Sequence, residues 1–221
     1  MERERTASIG FWASAVLAAL AVIYLATLAV YFTTAGFVFP PAQIIQTVAG
    51  VITLLTVPLM VVVFAAIREV PGEQGLLGTI SLSFTLLFAA VVSMNRFTQL
   101  TIIRQAPLGA ATPDLARFLP YSTESVMFAM EMLGWGLFMA LAALAAAPLF
   151  GGDHLGRSLR WVLVAYGLLS LLSVVGYATQ TPLTMAGFIA WGPGLVALGI
   201  LLALHFRKGQ AAASRDGAGS P

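Results

Sequence analysis

The chain has 221 residues, 59% of them apolar, and only 11 basic and 9 acidic side chains. With a mean hydropathy of +0.93 and repeated uncharged runs of about 20 residues, this is the composition of a multi-spanning membrane protein, not of a soluble domain. A net charge of +2 without a dense basic stripe excludes nucleic acid as a partner, and the absence of cysteine excludes disulfides and thiol redox chemistry within the chain.

The apolar runs are continuous and lack the alternation of a membrane barrel, so the expected fold is all-α, a polytopic helical bundle. Six spans are predicted, at about Phe11 to Phe32, Ile44 to Ile67, Leu76 to Met94, Ser122 to Pro148, Leu155 to Tyr177 and Leu183 to Phe206. The loops are too short for a soluble domain, which makes 1–208 one transmembrane unit. Lys and Arg set the orientation. Arg3, Arg5, Arg68, Arg157, Arg160, Arg207, Lys208 and Arg215 mark one side, against Arg96, Arg104 and Arg117 on the other. Both termini are therefore expected in the cytoplasm, which fits an even number of spans.

The first span, at about 22 residues, is longer than the apolar core of a cleaved signal and reads as a true crossing. Tyr24, Thr27 and Tyr31 form a polar stripe along its outer half. The second opens with Gln43 and Gln46 and is interrupted by Pro58, while the third ends on Asn95, Arg96 and Gln99. Arg96 either snorkels to lipid phosphates, as interfacial arginines do, or pairs with Glu124 or Glu131 of the next span. Between spans three and four, Thr112-Pro113-Asp114 reads as a helix start, which predicts a short helix at the outer interface.

The fourth span holds the least expected residue. Glu131 lies in Phe128-Ala-Met-Glu131-Met-Leu-Gly-Trp135, about 14 Å from Ser122 at 1.5 Å per residue and so near the bilayer centre. An ionised group there costs several kcal/mol unless it is paired or hydrated. Glu124, Phe128, Glu131 and Trp135 recur at spacings of four, three and four and share a face, though Glu124 also suits a helix start. Tyr166, Ser170, Ser173 and Tyr177 repeat that spacing on the fifth span, and Trp191-Gly192-Pro193-Gly194 predicts a kink in the sixth. Hydroxyls are also ordinary glue between membrane helices, and a proline kink can serve packing alone. Residues 209–221 are small and polar and read as a disordered cytoplasmic tail. Three spans plus three would invert the halves, but Pro58 and Pro193 do not correspond.

Much chemistry is excluded. His154 and His205 sit at helix ends with no ligand cluster beside them, so no metal is expected, and the single lysine, Lys208, is too near the end for a mid-membrane Schiff base. No phosphate loop, dinucleotide fingerprint or nucleophile elbow is present, and no cofactor is expected. The remaining polar set, Glu131, Glu124, Arg96, Asn95, Gln99, Trp135, Tyr166, Tyr177 and Trp191, suits a pocket in the outer half for a small amphipathic or polar organic molecule. A proton-coupled transporter cycling Glu131, an intramembrane acid/base enzyme with Glu131 as general acid or base and Arg96 as electrophilic helper, and a purely structural subunit are the alternatives. The look is that of small bacterial multi-spanning proteins, so the cell membrane, a bacterial inner membrane, is the expected location. Membrane lipid is the expected partner. Small residues such as Ala140, Ala143, Ala147, Gly187 and Gly199 permit close approach within one bundle or in a homo-oligomer.

Overall fold

The structure, a computed structural model, describes residues 2–36, 41–69, 75–103, 118 and 125–218. Its regular elements are helices, with no strand among the described residues. Six are long and apolar enough to cross a membrane: α1 (Glu4–Ala35), α2 (Gln43–Arg68), α3 (Gly75–Ile102), α4 (Val126–Leu149), α5 (His154–Thr179) and α6 (Pro182–Ala211). The shortest has 24 residues, about 36 Å at 1.5 Å each, enough for a hydrocarbon core of roughly 30 Å. They are the six predicted spans. Continuous apolar runs leave backbone groups no partner in lipid except within the segment, which is why they form helices.

Boundaries moved where caps and propensity outweigh hydropathy. Helix α4 starts at Val126, not Ser122, because Ser125 is extended and its hydroxyl accepts from the Met127 and Phe128 amides at 3.1 and 3.4 Å. Glu131 is then about 8 Å along the helix from its start, against the 14 Å expected from a start at Ser122. At the other end of the chain the last helix runs on to Ala218, so residues 209–218, expected as a disordered tail, are helical. Three consecutive alanines favour the continuation. Apart from Phe118, an exposed turn residue, the predicted interfacial helix at 112–119 lies outside the described residues, as do Glu124, Arg104 and Arg117.

Helices adjacent in sequence pack together, and α6 returns to α1, closing the six into a ring. The seam between α1 and α6 is antiparallel: a Cβ on Gly199 would meet Ala18 at 3.0 Å, one on Gly192 would meet Leu25 at 3.0 Å, and Gly10 lies under the Phe206 ring. Glycine is needed there because the two backbones approach closely. The start of α1 and the end of α6 thus share one end of the bundle, with the α4–α5 turn beside them, since Lys208 donates to Asp153 and Phe150 packs edge-on to His205.

The interior is unevenly filled. Toward the terminal end Met60, Phe64, Met139, Leu163, Leu198 and Leu202 are fully buried and form a solid apolar core. Toward the opposite end the polar residues collect.

Candidate functional site

Asn95 and Arg96, near the end of α3, face Glu131 on α4. Arg96 Nη2 lies 3.0 Å from Glu131 Oε2, and the Asn95 side-chain amide donates to Glu131 Oε1. Arg96 Nη1 donates to Gln99 Oε1 at 2.8 Å, and Gln99 Nε2 donates back to Asn95 Oδ1 at 3.3 Å. The four side chains close a ring of hydrogen bonds. Asn95 also reaches the Met127 carbonyl in the first turn of α4, at 3.1 Å, which ties the ring to the helix that carries Glu131.

This arrangement decides among the fates open to Arg96. Its side chain is 10% exposed and that of Glu131 12%. Arg96 turns inward and pairs with Glu131 instead of snorkelling, because the carboxylate offers a charge-assisted contact that costs the arginine less than remaining unpaired among apolar helices. The fork of the guanidinium lets one arginine hold Glu131 and Gln99 together, which a lysine would not do in this geometry.

The pair lies against a cavity of about 70 Å³, lined by Ala21 and Tyr24 of α1, Ile52, Thr53 and Thr56 of α2, Arg96, Glu131, Trp135, and Trp191 and Leu195 of α6. Every helix except α5 contributes. At about 30 Å³ per water of liquid volume, that is space for a few waters or a molecule of a few heavy atoms. Trp135 stacks edge-on against Phe88 at 4.6 Å and lies 6.5 Å from Trp191. Helix α5 acts from behind: Ser170 accepts from the Trp191 indole N–H at 3.0 Å and fixes that ring in the wall.

Two widened turns shape the wall. Met132–Phe138 and Ala190–Gly194 are π-helical, and they carry Trp135 and Trp191. In the first, a Cβ on Gly134 would fall 2.5 Å from Val92 Cγ2 and one on Gly136 2.4 Å from Val174 Cγ2, so α4 fits between α3 and α5 only with glycine there. In the second, Pro193 lacks the N–H a regular turn would use. Such π-helical insertions are frequent at functional sites.

Compared with protein-family models, with curated proteins and with solved structures, the chain matches none. What the site can do must be argued from its own residues.

Of the residues singled out from the sequence, Glu131, Arg96, Trp135 and Trp191 line the cavity, and Asn95 and Gln99 brace the charged pair. Tyr177 packs edge-on against Phe128 at 5.4 Å, away from the cavity. Tyr166 is buried beside Gly194, and its hydroxyl has no hydrogen-bond partner among the described residues. Thr53 and Thr56 were not singled out. Both line the cavity, and their hydroxyls donate to the carbonyls of Ala49 and Ile52 at 2.8 and 2.9 Å. The three-residue spacing Thr53–Thr56, in a stretch otherwise without polar side chains from Val48 to Ile67, was the available signal.

Proposed function

We propose that this integral membrane protein binds a small polar or amphipathic organic molecule in the Arg96–Glu131 cavity, reached from the extracytoplasmic side, as a receptor-like or transport-related bundle. The observation that carries the reading is a cavity lying directly against a buried ion pair. A pair kept only for packing needs no cavity beside it, because side chains closing over it would add dispersion contacts. Two aromatic rings and two hydroxyl-bearing threonines on the same space supply the mixture of apolar wall and few fixed polar groups that small-molecule sites use. The solid core toward the terminal end supports entry from the opposite end, and the clustering of Arg5, Arg68, Arg157, Arg160 and Arg207 near the termini supports that opposite end being the outside.

The test is thermal unfolding of the purified protein in lipid nanodiscs against a panel of small polar and amphipathic solutes, read through tryptophan fluorescence. A true ligand at 100 times its Kd stabilises by about 2.7 kcal/mol. Ala21→Leu, which adds side-chain volume to the cavity wall and leaves Arg96 and Glu131 in the sequence, is expected to abolish the ligand's shift while the protein stays folded. If no solute raises the midpoint, or if Ala21→Leu leaves every shift intact, the pocket is a packing feature and the reading falls.

A further inference from the structure

The charge arithmetic of the cavity narrows what it can take, granted the pocket reading above. Arg96 and Glu131 together are neutral, and the rest of the lining is uncharged. A lone cation or anion entering this low-dielectric space would bring an uncompensated charge with it. A zwitterion brings none.

The bracing amides make such an exchange local. Gln99 holds Arg96 at Nη1 and Asn95 holds Glu131 at Oε1, so both groups stay anchored when the Nη2–Oε2 contact opens. A ligand carboxylate then takes Nη2 and a ligand ammonium takes Oε2, and each protein charge trades one partner for another of the same sign. The ammonium side would also meet the indole and phenol rings of Trp135, Trp191 and Tyr24, whose faces attract cations. The volume of about 70 Å³ admits only a few heavy atoms beyond the charged groups.

We propose that the ligand class is a small zwitterion with ammonium and carboxylate on one carbon, an α-amino acid of about the size of glycine or its N-methylated form, which inserts into the Arg96–Glu131 pair.

The experiment uses the full chain in nanodiscs and titrates glycine and N-methylglycine against acetate and methylammonium, the two halves, and acetamide, an uncharged isostere of acetate, following tryptophan fluorescence and the unfolding midpoint. The expected result is saturation by a zwitterion at a concentration at least tenfold below either half or the isostere. Arg96→Gln with Glu131→Gln, which removes both charges and keeps amide hydrogen bonding, should weaken it tenfold or more. Should that double variant not fold, Tyr24→Leu serves instead: it should weaken the zwitterion and methylammonium and leave acetate unchanged. Saturation by acetamide as readily as by glycine, or by one ion alone, overturns the zwitterion and leaves the pocket reading standing, as does stabilisation by other solutes of the panel with none by either zwitterion. Silence from every solute removes both.

Discussion

Glu131 is tolerable in this bundle because three neighbours share the work of neutralising and orienting it. The ring Asn95–Glu131–Arg96–Gln99 satisfies both carboxylate oxygens and two guanidinium nitrogens. Breaking such a buried pair from one side typically costs about 3–5 kcal/mol, because the surviving charge is stranded, whereas replacing both partners with apolar groups is often close to neutral. Arg96→Met and Glu131→Leu are therefore each expected to destabilise by about that amount, and the double variant by much less than their sum. Equilibrium unfolding in mixed detergent gives the cycle, and simple additivity would show that the two charges do not depend on each other. Outside the membrane the logic is different. Asp153 caps α5 by accepting from the Gly156 amide at 2.8 Å and also pairs with Lys208. The Lys208 hydrogen bond first, and the Gly156 amide second, hold its carboxyl below the usual carboxylate range. Its stabilising contribution is thus complete above the ordinary value of about 4 and is lost as pH falls from there through the lower folded value. The wild type should be more stable than Asp153→Asn at neutral pH, and the two unfolding midpoints should draw together as the pH falls below about 4.

At the scale of elements, close approach decides which glycines matter. A Cβ on Gly176 of α5 would lie 2.1 Å from the Thr184 backbone nitrogen and 2.4 Å from the Leu183 carbonyl carbon, where no side chain can rotate away. Gly176→Ala must push the start of α6 outward, at a cost of about 1–3 kcal/mol. That movement would also strain the Ser173 bond to the Thr184 carbonyl, 2.9 Å in the native fold. Gly151→Ala, where a Cβ meets nothing within 4 Å, should change stability by less than about 0.5 kcal/mol. Thermal unfolding of the two variants side by side checks the contrast. The same reasoning explains why six helices were legible from hydropathy while their ends were not. Apolar length is dictated residue by residue by lipid, but the start of α4 depends on a single hydroxyl, Ser125, folding back onto two amides.

Among the described residues the bundle interior is asymmetric along its axis: apolar and filled near the termini, with the polar cavity toward the other end. Orientation in the membrane then decides which solution the cavity meets. The lack of native cysteine makes this directly measurable. Thr33, exposed at the far end of α1, and Glu69, exposed just after α2, lie at opposite ends of the bundle. With the termini inside, a membrane-impermeant maleimide should label Thr33→Cys in intact cells and Glu69→Cys only after lysis. The reverse pattern would turn the cavity toward the cytoplasm and remove the extracytoplasmic entry proposed above.

Residue order alone was enough for the six crossings, and for the prominence of Glu131, because hydrocarbon solvent constrains each segment independently: an apolar run must be helical, and a carboxylate within one must be compensated. Nothing local could say by what. Arg96 is 35 positions away from Glu131 and had three plausible partners; Thr53 and Thr56 look like ordinary helix hydroxyls; Tyr166 and Tyr177 share a periodicity with Ser170 but do not line the cavity. These outcomes rest on how far each helix rotates about its own axis, which the π-helical turns at Met132–Phe138 and Ala190–Gly194 reset and which only packing against neighbouring helices fixes.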